Sequence, residues 1–176
     1  MKIPRQHPQS VWPRGREQYG FTLIEVLIAL LVLSIGLLGL AALQTSGLRS
    51  SQMARMRTTA TQLAYDISDR MRANRAGMAR HAYTIAANDP DPASGDNDSC
   101  EQAQCTAGQM ARYDLATWRR AIHSLPGGTG SITTRVDAAV EIHTITVYWD
   151  EYRKGATGTA CGPDPALDLR CISLSL

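Results

Sequence analysis

One carboxylate stands alone inside the most apolar stretch of this sequence. Glu25 lies near the start of a run from Phe21 to Leu43, whose other conspicuous polar residues are Thr22 and Ser34. A charge in such surroundings costs several kcal/mol unless it meets a partner, so by default it marks a functional site. The alternative is a glutamate near a membrane interface that merely reaches water. We favour the functional interpretation.

Four cysteines form the second set of side chains that could carry chemistry. Cys100 and Cys105 are separated by four residues, and Cys161 and Cys171 by nine. Neither spacing is the tight CxxC of a zinc knuckle and no histidine is close, so we expect no bound metal. Outside the cytoplasm, an even number of cysteines predicts disulfides. Four cysteines allow three disulfide connectivities. We favour the local one, Cys100 with Cys105 and Cys161 with Cys171.

The other reactive side chains form no constellation typical of an enzyme. His81, His123 and His143 are scattered and are expected to be surface or half-buried residues. No Gly-rich phosphate loop, paired-carboxylate cleft or nucleophile triad stands in the sequence. Seven arginines lie between Arg49 and Arg80, but aspartates are interleaved with them, which favours a solvated or inter-subunit face over a DNA-binding stripe. We expect no catalysis, no cofactor and no nucleic acid.

The run that contains Glu25 is long enough to cross a membrane. It has about 23 residues and no proline, and such a helix spans a hydrocarbon core roughly 30 Å thick. Residues 1–20 hold four basic side chains and one acidic one. A basic flank is retained in the cytoplasm, so we expect a single pass with the chain after Leu43 on the outside.

The net charge depends on these first residues. The chain of 176 residues carries 18 basic and 16 acidic side chains, a formal charge of +2. Without the four basic residues and one acidic residue of 1–20, 14 basic and 15 acidic side chains remain, a net charge of −1. The slight basicity therefore gives little support to nucleic-acid binding, and the remaining length fits one domain.

Residues 20–30, Gly-Phe-Thr-Leu-Ile-Glu-Val-Leu-Ile-Ala-Leu, resemble the class III signal sequence of type IV pilins and of the pseudopilins of type II secretion. The shared features are the basic leader, the glycine and phenylalanine, the glutamate, and the unbroken apolar helix. The resemblance implies that a prepilin peptidase, which is also an N-methyltransferase, cuts between Gly20 and Phe21 and methylates the new amine of Phe21. It also implies that the Glu25 carboxylate pairs with the Phe21 amine of its own or a neighbouring subunit. Opposite charges in apolar surroundings attract strongly.

The later part of the chain is similar to the minor pilins called PilV, also termed type IV pilus modification proteins. The similar segments are Asp114-Leu115, Trp118, Leu125-Pro126-Gly127-Gly128, residues 146–150 and the two C-terminal cysteines. The resemblance implies a subunit held in the inner membrane and then built into a retractile pilus, with roles in pilus initiation, adhesion and twitching motility. The implied partners are other major and minor pilins, the inner-membrane assembly platform and, before assembly, membrane lipid. A disulfide between Cys161 and Cys171, closing the C-terminal segment onto the sheet, is implied as well.

Three other classes of function stay open at this point. A minor pseudopilin of a type II secretion system would share the signal and the fold. A membrane-anchored adhesin or DNA receptor would act through the acidic loop over residues 84–109 and would bind its ligand with the soluble part alone. A single-span membrane enzyme would need chemistry that the sequence does not offer.

The spacing of apolar residues predicts two helices that position the candidate functional residues. Nothing stops a first helix between Phe21 and about Ala76, and a stop is expected over residues 74–77. A second helix is expected after Thr106, where Gln109 completes a capping box. Each helix carries an apolar stripe at spacings of three and four: Met53, Met56, Ala60, Leu63, Ile67 and Met71 in the first, and Leu115, Trp118, Ile122 and Leu125 in the second.

The last third of the chain changes to a period of two, which predicts strands over 132–136, 140–149 and 168–176. The face of Ile145, Val147 and Trp149 is expected to pack on the long helix. The predicted fold is α+β and type IV pilin-like, with a long N-terminal helix packed on a small antiparallel sheet of about three to four strands. Residues 1–20 are expected to be a cleaved leader, 21–43 the transmembrane or filament-core half of the helix, and 44–176 its amphipathic half with an extracytoplasmic globular domain.

Overall fold

The structure, a computed structural model, describes residues 20–92, 98–101, 104–138 and 140–176. Its elements, in chain order, are α1 (Leu23–Ala73), α2 (Arg75–Met78), a 3₁₀ turn (Asp98–Glu101), α3 (Ala107–Ile122), β1 (Thr129–Asp137), β2 (Val140–Trp149) and β3 (Arg170–Ser175). The long N-terminal helix and the small antiparallel sheet confirm the predicted fold class. Most of the predicted leader, residues 1–19, lies outside the described residues. The chain divides into two compact units, residues 1–46 and 47–176.

The described part of the first unit is the beginning of α1. Thr22 caps this helix, because its Oγ1 accepts a hydrogen bond from the backbone N–H of Glu25 at 3.3 Å. All side chains of residues 21–46 are exposed, including the large apolar ones between Phe21 and Leu43. By length and composition α1 can cross a membrane, with a mean hydropathy of 2.9 in its most apolar window. A helix that is apolar on all sides needs lipid or other apolar helices around it.

In the second unit, α1 buries only one face. Ala60, Ile67 and Met71 of the predicted stripe are fully buried, and Ala64 and Ser68 are buried beside them although the stripe did not include them. The other members of the stripe, Met53, Met56 and Leu63, are half-buried. The predicted apolar stripe is therefore confirmed, and it is wider than predicted.

α1 ends at Ala73, three residues before Ala76, and Asn74, the first residue of the predicted stop, follows it. Its Oδ1 accepts the backbone N–H of Gly77 at 3.1 Å, and its Nδ2 donates to the Ala107 carbonyl at 2.8 Å. These bonds draw the Asn74 side chain away from the helix and make it the N-cap of α2. A side chain at Gly77 would collide with the Asn74 amide, so the tight turn requires glycine there.

The capping box predicted at Thr106 and Gln109 is present at the start of α3. The predicted stripe of this helix is buried, and its largest member, Trp118, donates its indole N–H to the Leu63 carbonyl of α1 at 2.9 Å. The helix ends at Ile122, and the turn that follows contains Gly127 at a φ of 57°. Glycine adopts such a left-handed conformation without strain.

The sheet has three antiparallel strands in the order β1-β2-β3, with Ile132 opposite Ile145 and Val147 opposite Ile172. Ile145, Val147 and Trp149 lie in one buried cluster with the apolar face of α1 and with Trp118. The predicted inward face of β2 is thus confirmed. β1 begins at Thr129, three residues earlier than predicted, because Gly130 and Ser131 pair with β2 although they lack the apolar signature of a strand.

Candidate functional site

The predicted signal residues stand together at the beginning of α1. Phe21 and Glu25 both line a shallow depression of about 460 Å³, whose other walls are the apolar side chains Val26, Ala29, Leu30 and Leu33. Among the described residues, none donates a hydrogen bond to the Glu25 carboxylate. Glu25 occupies the first helical turn, where the helix dipole favours a negative charge. The depression is therefore an apolar surface with one carboxylate that has no partner within the described part of the chain.

Gly20 precedes this turn and is exposed. A Cβ at this position would meet no atom within 4 Å. Nothing in the described fold therefore requires glycine here, and any requirement for it must come from a molecule that acts on the chain.

Each of the two disulfides ties a loop to a neighbouring element. Cys100 of the 3₁₀ turn is joined to Cys105, which directly precedes the N-cap of α3, and Cys161 is joined to Cys171 of β3. The Cα atoms are 5.4 Å apart in the first pair and 5.6 Å in the second, within the usual range. These are the local pairs that the sequence analysis favoured.

A buried polar network connects α1, α3 and the segment after α2. The carboxylate of Asp114, a buried residue of α3, accepts the Tyr83 hydroxyl at 2.6 Å and the Arg70 guanidinium at 3.2 Å. Asn74 donates to the Tyr83 hydroxyl oxygen at 3.1 Å. Burial, and then the hydrogen bond to the Asp114 carboxylate, raise the pKa of Tyr83. The network is structural, because it satisfies a buried carboxylate that would otherwise be costly.

A second buried carboxylate fastens the loop after β2. The side chain of Glu151 is fully buried and accepts two hydrogen bonds from Arg57 of α1, at 2.8 and 3.2 Å. Arg170 of β3 approaches the same carboxylate at 3.5 Å and stacks over the Tyr152 ring, 5.8 Å from its centre. The hydrogen bond and the charge of Glu151 raise the pKa of Arg57.

Arg119 holds the segment that enters the acidic loop. This buried guanidinium donates to the backbone carbonyls of Ala86 at 3.0 Å and Asp89 at 2.8 Å. Burial lowers the pKa of Arg119, and the charges of Asp91 and Asp89 oppose that shift. His123 adds a contact of 2.6 Å to Asp91. The described beginning of the 84–109 loop is therefore a fixed surface.

The remaining predicted residues are placed as follows. His143 is buried on β2 with its Nδ1 2.9 Å from the Thr134 hydroxyl, so the expectation of a surface or half-buried histidine is wrong there. The ring faces the core because His143 alternates with the outward residues of β2.

Of the seven arginines between 49 and 80, Arg57, Arg70 and Arg72 pair with carboxylates. In the part of the chain that the structure describes, no group of three or more His, Cys, Asp or Glu could hold a metal ion.

Two family models match this chain. The prokaryotic N-terminal methylation motif matches residues 15–41, and the Tt1218-like family, described as type IV pilin Tt1218, matches residues 42–116. No curated protein and no solved structure gives a significant match. The two matches adjoin at the middle of α1, so the signal and the pilin domain follow one another as in a prepilin.

The chain thus carries a type IV pilin domain over residues 42–116, preceded by a prepilin-type N-terminal methylation motif over residues 15–41. The motif implies processing by prepilin peptidase and a context of pilin assembly. Together with the exposed apolar part of α1, it indicates membrane anchoring and incorporation into a pilus. The family is structural and not enzymatic.

Proposed function

We propose that this chain is a minor pilin that is cut between Gly20 and Phe21, methylated at Phe21 and built into a type IV pilus through residues 21–43. The observation that carries the proposal is the arrangement at the start of α1. There a phenylalanine and a carboxylate without a partner among the described residues line one apolar depression at the start of an exposed apolar helix.

The proposed cut changes the charge of this depression. Before cleavage the Phe21 nitrogen is a neutral amide, and after cleavage it is an amine that is mostly protonated at neutral pH. This cation arises four residues before Glu25, and methylation keeps its charge. A carboxylate and an ammonium in apolar surroundings are each costly alone and stabilise one another as a pair.

The pair would decide the register of the filament. In the membrane, residues 21–43 contact lipid, and in the filament they contact the same segment of neighbouring subunits. Apolar surface is covered in both states, so burial alone does not select one helix position over another. An ion pair between Glu25 and a neighbouring Phe21 amine would make that selection.

The minor role rests on the resemblance of residues 114–128 and 146–150 to PilV-type pilins. A subunit of that kind would help to initiate the pilus or lie near its tip and would support adhesion and twitching motility. The measurement is the ratio of this chain to the most abundant pilin in sheared filaments, together with pilus number and twitching in a deletion strain. A ratio near one would overturn the minor role while leaving the pilin role intact.

The assembly role of Glu25 is tested by Glu25→Ala and Glu25→Gln, with Ser34→Ala as the matched control. Ser34 is a second polar residue of the same segment, and its hydroxyl donates a hydrogen bond to the Leu30 carbonyl of its own helix. We expect all three variants to be cleaved at Gly20, and we expect only the Glu25 variants to be depleted from sheared filaments. Wild-type amounts of Glu25→Ala protein in the filaments would contradict the assigned role.

A further inference from the structure

A basic cleft of about 360 Å³ lies in the second unit. One wall is the beginning of the amphipathic part of α1, with Arg49, Met53 and Met56. The facing wall is the loop after β2, with Tyr152, Arg153 and Lys154. None of the interactions described for the pilin signal or the disulfides involves this cleft.

The cations of the cleft have no partner among the described residues. Arg49, Arg153 and Lys154 are exposed, and no described residue forms an ion pair or hydrogen bond with their side chains. The one carboxylate of the lining, Glu151, is already bound by Arg57 and approached by Arg170. Within the described part of the chain, the cleft therefore presents three positive charges without a compensating carboxylate, and such a group attracts an anion.

The loop that carries two of these charges is held in place. The buried Asp150 accepts the Gly155 backbone N–H at 2.7 Å through its side chain and the Arg153 backbone N–H at 3.3 Å through its carbonyl. Arg153 itself has a φ of 53°, a left-handed conformation that costs free energy in a residue other than glycine. The two cations are thus presented on a preorganised turn.

The other side chains of the cleft suit the boundary between water and hydrocarbon. Tyr152 is 41 % exposed, and Met53 and Met56 are half-buried. Tyrosine is enriched where an apolar and a polar phase meet, and long basic side chains place their stems on apolar surface and their charge in the headgroup layer.

Chain length brings this cleft to the membrane surface. Arg49 is the sixth residue after Leu43, the last residue of the apolar run. Six residues advance about 9 Å in a helix and at most about 20 Å when extended. The α1 wall of the cleft therefore lies at or just beyond the headgroup layer whenever residues 21–43 span a bilayer.

A second copy of this chain is a poorer occupant. Its acidic loop begins with Asp89 and Asp91, whose carboxylates already bind the Ala86 N–H at 2.7 Å and His123 at 2.6 Å. Those carboxylates would have to leave their partners before they could enter the cleft.

We propose that the cleft binds the phosphate of an anionic phospholipid headgroup while the pilin is anchored in the membrane before assembly. This inference rests on the proposed function only in requiring that residues 21–43 span the bilayer. The bound headgroup holds the loop after β2 against the membrane, and extraction of the pilin into a filament releases it.

The test is native mass spectrometry of the full chain in detergent, titrated with phosphatidylglycerol or with phosphatidylcholine. The variant Arg49→Ala/Arg153→Ala/Lys154→Ala removes the cleft cations. The matched control, Arg75→Ala/Arg80→Ala/Arg112→Ala, removes three exposed arginines elsewhere in the second unit. All six positions are exposed, so both variants are expected to fold, and unchanged tryptophan fluorescence checks this.

We expect the wild type and the control to bind phosphatidylglycerol at least about tenfold more tightly than phosphatidylcholine, since each basic residue near an anionic surface contributes about fivefold. The cleft variant is expected to lose this preference. Equal binding of the two lipids by the wild type, or equal weakening in both variants, would overturn the proposal. Displacement of the lipid by millimolar inorganic phosphate would identify a site for the free ion and would overturn it too. Filament incorporation of the Glu25 variants is a separate readout, so failure of the assembly role is distinguishable from failure of the lipid site.

Discussion

Arg57 and Glu151 are 94 residues apart in the chain, and their side chains meet through two hydrogen bonds of 2.8 and 3.2 Å. The Glu151 side chain is fully buried, whereas that of Arg57 is 60 % exposed. The pair joins the amphipathic part of α1 to the loop after β2. A buried carboxylate that loses its partner is strongly destabilising, so this contact is a sensitive point of the globular unit.

We therefore expect Arg57→Met to lower the free energy of unfolding by about 1 to 3 kcal/mol. This expected loss is smaller than the cost of breaking a fully buried ion pair, because Arg57 is largely exposed and Arg170 stays near the Glu151 carboxylate. Urea unfolding in mild detergent, followed by tryptophan fluorescence, measures the change. Arg55→Met, at an exposed position two residues earlier, is the control and is expected to change stability by less than about 0.5 kcal/mol. Equal effects of the two substitutions would show that the pair contributes nothing.

The contact between Tyr83 and Asp114 makes stability depend on alkaline pH. The pKa of Tyr83 is raised in the folded chain by burial and by the hydrogen bond to Asp114, while an unfolded tyrosine ionises near about pH 10. Above that pH the unfolded chain releases a proton that the folded chain keeps. The contribution of Tyr83 is therefore fully present below about pH 10 and is lost as the pH rises further.

Between pH 8 and pH 11 we expect the free energy of unfolding of the wild type to fall by about 1.4 kcal/mol more than that of Tyr83→Phe. This is the linkage free energy of one ionisable group over the one pH unit above about pH 10. The measurement is urea unfolding at the two pH values. Tyr65→Phe, which replaces a tyrosine that is 53 % exposed, is the control and is expected to keep the wild-type pH dependence. If the free energy of unfolding of Tyr83→Phe depended on pH as that of the wild type does, the proposed linkage to Tyr83 ionisation would be contradicted.

Gly130 allows the Trp118 ring to lie directly on β1. A Cβ at Gly130 would stand 2.5 Å from Trp118 Cη2 and 2.8 Å from Ile122 Cδ1. We expect Gly130→Ala to destabilise the chain by about 1 to 3 kcal/mol through overpacking of a buried ring. Gly108→Ala, in the first turn of α3 with no atom within 4 Å of the new Cβ, is expected to be neutral or slightly stabilising. Thermal unfolding of both variants measures the contrast, and a neutral Gly130→Ala would contradict the packing.

The apolar pattern predicted the elements of this chain because burial imposes a period. A helix that buries one face must repeat its apolar residues at three and four, as between Ala60 and Met71, and a strand must alternate, as between Ile145 and Trp149. The cap of α3 was equally local, since Thr106 and Gln109 are three residues apart. Such patterns involve residues close to one another in the sequence, so they can be recognised without knowing which distant residues they contact.

The buried charges could not be predicted in the same way. Asp114 lies in a segment that the sequence analysis singled out for its similarity to PilV-type pilins, but its partners Tyr83 and Arg70 come from other elements. Glu151 likewise binds Arg57, which lies 94 residues earlier in the chain. A carboxylate is buried only where the fold supplies its donors, and a single sequence does not reveal that pairing. For the same reason the basic cleft became visible only when the loop after β2 was seen to face α1.

The pilin account is tested most directly by the intact mass of this protein in sheared surface filaments, measured with and without reduction. The account predicts a chain that begins at N-methylated Phe21 and is four hydrogens lighter before reduction, since two disulfides are closed. This one mass would report the cut after Gly20, the methylation, the export and both disulfides. A chain that still carries residues 1–20, or its absence from the filament fraction, would contradict the account.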